Sequence, residues 1–191
     1  MIKIQMDQKT NLLLKKIFFS VTLVLFLFYL FVVLCLKGFF GVFSNQFCLP
    51  SDWEPYMLRT KINLIPFKNI WQYTVAIFEG SNSRFGSGIA KNNLLGNLLI
   101  LLPFPIFLGL LGCASFRAIK NLFDGISSFK SIILVVLIFD ILISLIRFAF
   151  TIMGIFDIDD IILNLIGGIA GYFLFTTVAC KLFDILEVKV D

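Results

Sequence analysis

Four apolar runs, each near or above the ~20 residues that carry a helix across bilayer hydrocarbon, constrain this chain more than any other feature. They span 17–36, 93–112, 131–152 and 160–182. Inside hydrocarbon every backbone N–H and C=O must find its partner within the segment, so runs of this length become helices. The expected fold is all-α: a polytopic transmembrane helical bundle of about four spans. Composition agrees, since 59% of the chain is hydrophobic and 24 of its 191 residues are Phe. A soluble domain has no use for a mean hydropathy of +0.99.

The first run follows basic residues, as a signal peptide would, but it is twenty residues long and ends in CLKG without a small-residue cleavage pattern. It is expected to remain as an anchor. Lys3, Lys9, Lys15 and Lys16 precede it, Arg117, Lys120 and Lys130 occupy the second connection, and Lys181 and Lys189 close the chain. The short third connection carries Asp157 and Asp159 and no basic residue. By the positive-inside rule, the third connection lies outside and both termini are cytoplasmic, in a multi-pass protein of the cell membrane. This gives a cytoplasmic segment 1–16, a membrane domain 17–182 and a cytoplasmic tail 183–191. The long first connection also holds basic residues, Lys37, Arg59, Lys61 and Lys68 among them, where the rule is weakest. The net charge of +4 is thus read as topology. No basic run interleaved with aromatics suggests nucleic acid.

The four cysteines, Cys35, Cys48, Cys113 and Cys180, are scattered, and there is no histidine. No metal set and no disulfide framework is expected, and a His-dependent hydrolase is excluded. No cofactor is implied. Any acid–base chemistry would fall to carboxylates, Tyr or Lys.

The first connection contains an amphipathic stretch, Lys68 to Phe78, too short to span but suited to the membrane interface, with Trp71 and Tyr73 at headgroup level. A Gly- and Ser-rich linker, GSNSRFGSG, follows it.

Three segments in order, RTKINLIPF (59–67), NLLGNLLILLP (93–103) and FDIDDIILNLIGGIAGY (156–172), resemble the VanZ-like membrane proteins, a family named for a glycopeptide-resistance component. The resemblance implies an integral membrane protein, associated in some members with reduced susceptibility to teicoplanin, lipoglycopeptides or cationic peptides. This chain departs from the family's pattern in two places. The family's acidic residue followed by Gln in the third span is replaced by SLIRFAFTIMG, and its Pro-Leu-Gly in the second span by Pro103, Phe104 and Pro105.

The third segment places Asp157 to cap a helix, with Asp160, Asn164, Gly168 and Gly171 following at helical spacing on one face. Asp157 is either a cap or part of a ligand site. Asp160 is read as a ligand group, and Asp159 as solvated. Asn93 and Asn97 repeat the spacing in the second span, where they either hydrogen-bond between helices or face a ligand. Gly167, Gly168 and Gly171 are read as packing residues, Gly167 and Gly171 forming a GxxxG pair. Within the third span, Asp140 and Arg147 are either paired directly, through Ser144 or through water, or Arg147 snorkels outward while Asp140 bonds to another helix.

The first and third connections share one side, so Arg59, Lys61, Asn63, Asn93, Asn97, Asp157, Asp160 and Asn164 can meet at the outer interface. The leading expectation is a protein that binds or shields a membrane lipid or lipid-linked glycan precursor there, without catalysis. The alternatives are an intramembrane enzyme using Asp157 or Asp160 on a lipid-linked substrate, and an assembly partner docking another membrane protein or a second copy through its glycine face.

Overall fold

The computed structural model describes residues 8–37, 61–80, 86–114, 128–150 and 155–186. Its elements in chain order are α1 (Gln8–Leu36), β1 (Ile62–Asn63), α2 (Lys68–Glu79), α3 (Ser87–Ile100), α4 (Pro103–Ala114), α5 (Phe129–Phe150), β2 (Phe156–Asp157) and α6 (Ile158–Leu186). Four stretches are helical, long and apolar enough to cross a membrane: Leu12–Leu36, Ser87–Gly112, Phe129–Ala149 and Ile158–Val178. This is a helical bundle that fits a multi-pass membrane protein. The one addition to the helical fold among the described residues is a two-residue parallel pairing of β1 with β2, which sets Asn63 beside Asp157.

The second span begins at Ser87 and is broken at Leu101 and Leu102, where the sequence suggests a single run. Two prolines cause the break. Pro103 and Pro105 lack the N–H groups that the carbonyls of Leu99 and Leu101 would otherwise accept. Those carbonyls turn instead to Leu102 N–H at 3.3 Å and Phe104 N–H at 3.2 Å. With Phe104 N–H diverted, the Ile100 carbonyl takes the Tyr29 hydroxyl, which reaches across from α1 at 2.6 Å. A proline kink in one helix is thus satisfied by a side chain of another, as a low-dielectric interior demands.

Helix α6 is the centre of the bundle, packed by α3, α4 and α5, while α1 joins through α4. Its approach to α3 and α4 needs glycine. A Cβ at Gly167 would fall on the carbonyl oxygen of Leu98, and one at Gly171 on that of Leu102. At Gly168 it would meet Val136 Cγ1 of α5 at 2.9 Å. The buried apolar core gathers Val33, Leu101, Phe104, Ile132, Val136 and Ile143. Rings of α1, α4 and α5 adjoin it, Phe104 lying 5.5 Å from Phe26 and 4.9 Å from Phe139 between centroids. Away from this core, rows of Leu, Val and Phe on α1 and α5 are exposed, as lipid-facing surfaces would be.

Candidate functional site

Helix α2 begins at a turn that the sequence Ile65-Pro66-Phe67-Lys68 dictates. Pro66 presets the first corner, Lys68 N–H returns to the Ile65 carbonyl at 3.4 Å, and Phe67 takes a left-handed φ of 64°. That conformation costs a non-glycine residue about 1–2 kcal/mol and needs outside support. Asp159 supplies it. Its carboxylate accepts hydrogen bonds from the N–H groups of Phe67, Asn69 (2.7 Å) and Ile70 (3.2 Å), capping α2 from the first turn of α6. Contrary to the solvated position expected from the sequence, Asp159 is 1% exposed, because three N–H donors at the start of another helix converge on it. Trp71 and Phe78 face outward at 69% and 86% exposure.

Asp157 caps α6, accepting Asp159 N–H at 3.0 Å. The same carboxylate accepts Asn63 Nδ2 at 2.8 Å and Asn69 Nδ2, so both of its oxygens are engaged. Asp157 and Asp159 together fasten the first connection to the start of the fourth span.

Asp160 faces a different way and accepts Asn97 Nδ2 from α3. The Asn97 carbonyl in turn accepts Lys37 Nζ at 3.3 Å, and Lys37 lies 3.7 Å from Asp140 of α5. Asn164 Nδ2 sits between the two Asp140 oxygens at 2.9 and 3.0 Å. The outcome is a chain of polar groups, Asp160, Asn97, Lys37, Asp140 and Asn164, linking α1, α3, α5 and α6. Asn164 is fully buried, and its side-chain carbonyl oxygen finds no hydrogen-bond partner among the described residues.

Of the two readings offered for the third span, the structure favours the one in which Asp140 bonds to other helices: it is ion-paired with Lys37 and accepts from Asn164. A residue at the end of a neighbouring span reaches its carboxylate, whereas two residues seven apart on one helix stand about 10 Å apart along the axis. Arg147 lines the cavity described next.

A cavity of about 680 Å³ opens between α1, α2 and α3, within the range of small-molecule sites. Its rim is polar, formed by Lys37, Asn69, Tyr73, Asn92, Asn93, Asn97, Arg147, Asp157 and Asp160. Its floor is apolar, formed by Tyr29, Val32 and Val33 of α1 and by Leu99, Ile100 and Pro103 opposite. Lys37, Val33 and Tyr29 succeed one another at helical spacing, so the cavity follows α1 for about 12 Å, most of the ~15 Å of one leaflet's hydrocarbon. Burial raises the Tyr73 phenol above the usual value, the neighbouring Asn93 side chain pulling the other way.

Four sequence candidates, Asn93, Asn97, Asp157 and Asp160, therefore line one cavity. Asn63 and Asn164 do not; they brace Asp157 and Asp140 from behind. Arg59 lies outside the described residues. Sequence reasoning missed Lys37, Asn69 and Tyr73 as cavity residues. The available signal for Lys37 was that a buried Asp140 needs a cation and Lys37 ends the first apolar run.

Neither the curated proteins nor the solved structures offer a match to this chain. The family model described as VanZ/LLP1 matches residues 26–180, from the α1 face of the cavity through the glycine contacts of α6. With the last three apolar helices, the kinked second span and the capped acidic turn all inside that match, the chain belongs to the VanZ/LLP1 family.

Proposed function

We propose that this protein binds a membrane lipid or lipid-linked ligand at the α2 end of its bundle, in the outer leaflet, and thereby lowers susceptibility to lipoglycopeptides or cationic peptides acting there. The observation that carries the reading is the cavity itself: a charged and amide-lined rim above an apolar floor about 12 Å deep. Such a gradient matches an amphiphile, headgroup at the rim and chain along α1. The effect on susceptibility rests on the family resemblance.

The rival readings have less to stand on. The glycine face that would dock another membrane protein is occupied within the chain, against Leu98, Leu102 and Val136. An enzyme would depend on Asp160, since the oxygens of Asp157 are committed to helix and loop donors.

Gly96 allows a direct test, because it lines the cavity and an added Cβ would meet nothing within 4 Å. Gly96→Leu adds side-chain volume at the cavity wall from a Cβ that meets no protein atom. Wild type purified in mild detergent should carry a defined lipid, identified by mass spectrometry. The Gly96→Leu protein, at equal membrane abundance, should have lost that lipid and any effect on susceptibility. Unchanged lipid content in the variant would refute the assignment of the cavity.

A further inference from the structure

The cavity wall carries charges in balance, Lys37 and Arg147 against Asp157 and Asp160. Two of these are held in a fixed relation by one amide. Asn97 donates through Nδ2 to Asp160 Oδ1 and accepts through its carbonyl from Lys37 Nζ. The ammonium and the carboxylate are thus set one amide apart on the wall, and the ion pair of Lys37 is made with Asp140 behind it. Among the described residues, Asp160 accepts its hydrogen bond at Oδ1, which leaves Oδ2 for a donor in the cavity. Lys37 has three ammonium protons, of which one goes to Asn97, while Asp140 stands at ion-pair distance.

Resting on the lipid-binding reading above, we infer that the ligand's headgroup is an aminoalkyl phosphate, its primary ammonium donating to Asp160 and its phosphate oxygen accepting from Lys37. The argument is one of matching. A zwitterion meets both poles of the wall, whereas a headgroup with only a negative charge leaves Asp160 Oδ2 desolvated without a donor, which is costly in a low-dielectric site. A quaternary ammonium keeps the charge but has no N–H for Asp160. The amide bridge also sets the spacing, since the two ligand groups must lie a few bonds apart to touch wall groups separated by one Asn side chain. The apolar floor below assigns the headgroup to a lipid and not to a free phosphate ester in solution.

The test uses the full chain stripped of copurified lipid in detergent and titrated with dihexanoyl phosphatidylethanolamine, phosphatidylcholine and phosphatidylglycerol, and with free phosphoethanolamine. Phosphatidylethanolamine should bind tighter than the other two lipids by about tenfold or more, the discrimination expected of a charged hydrogen bond. Asp160→Asn should erase that preference by weakening phosphatidylethanolamine binding, and should not weaken phosphatidylglycerol, which has no ammonium to lose and gains from removal of a nearby negative charge. Equal affinity for the three lipids in the wild type would overturn the headgroup assignment while leaving lipid binding intact, and so would a preference that survives Asp160→Asn. Free phosphoethanolamine binding as tightly as its lipid would overturn the lipid source. Failure of all three lipids to bind would remove the lipid-binding reading itself.

Discussion

Alanine in place of glycine should act in opposite directions at Gly96 and Gly167, although both residues are mid-helix and only a methyl group is added. At Gly96 the new Cβ enters the open cavity, with nothing within 4 Å. The change then reports only the helix preference for Ala, a gain of about 0.5–1 kcal/mol. At Gly167 the Cβ position is taken by the carbonyl oxygen of Leu98, which is backbone and cannot rotate away. Helices α3 and α6 must separate, and overpacking of that kind costs about 1–3 kcal/mol. As the propensity gain is common to both, the two variants should differ by the overpacking cost, about 1–3 kcal/mol. Gly171→Ala, facing the carbonyl of Leu102, should resemble Gly167→Ala. The assay is reversible unfolding in mixed micelles followed by far-ultraviolet circular dichroism, with folded yield as a second readout. A Gly167→Ala protein as stable as Gly96→Ala would refute the claim that α6 rests on the carbonyls of its neighbours.

Asp159→Ala should leave three N–H groups of Phe67, Asn69 and Ile70 without their acceptor, at about 1–3 kcal/mol, seen as faster hydrogen exchange confined to the start of α2. Asp140→Leu should be tolerated much better together with Lys37→Met than alone, since a lone buried charge costs about 3–5 kcal/mol; rescue by Arg147→Leu in its place would contradict the observed pairing. For orientation, an impermeant thiol reagent should label Cys48 in intact cells and Cys113 only after permeabilisation, and the reverse would put the cavity on the cytoplasmic side.

The spans are legible in the sequence because hydrophobic length is a local property: each helix satisfies its own backbone and needs no partner to declare itself. The cap at Asp157 is legible for the same reason, as its acceptor lies two residues from its donor. What escaped was decided across the chain. Asp159 looks like a spare carboxylate until the N–H groups it serves are seen to lie about ninety residues earlier. The kink at Leu101 and Leu102 had a local cause in Pro103 and Pro105, but its resolution by Tyr29 did not. Asp140 announces that it needs a cation, while nothing local distinguishes Lys37 from Arg147. Of the candidate ligand set, Asn93 and Asn97 of α3 fell together with Asp160 at the start of α6. Asn63 and Asn164 were misplaced by one layer because sequence spacing does not say which neighbour stands in front.

The fastening of α2 by Asp157 and Asp159 has a consequence for how the protein is made. Phe67 N–H waits for an acceptor 92 residues further along the chain, and Asn63 for one 94 residues on. A ribosome delivers the first connection well before the fourth helix exists, so through most of synthesis the left-handed turn at Phe67 has no support and α2 has no anchor. The roof over the cavity can close only when the last span has been laid in place. Ligand captured during assembly would therefore enter an open groove, and ligand captured afterwards would have to come sideways between helices. The order in which this chain is written thus separates two routes into the same site.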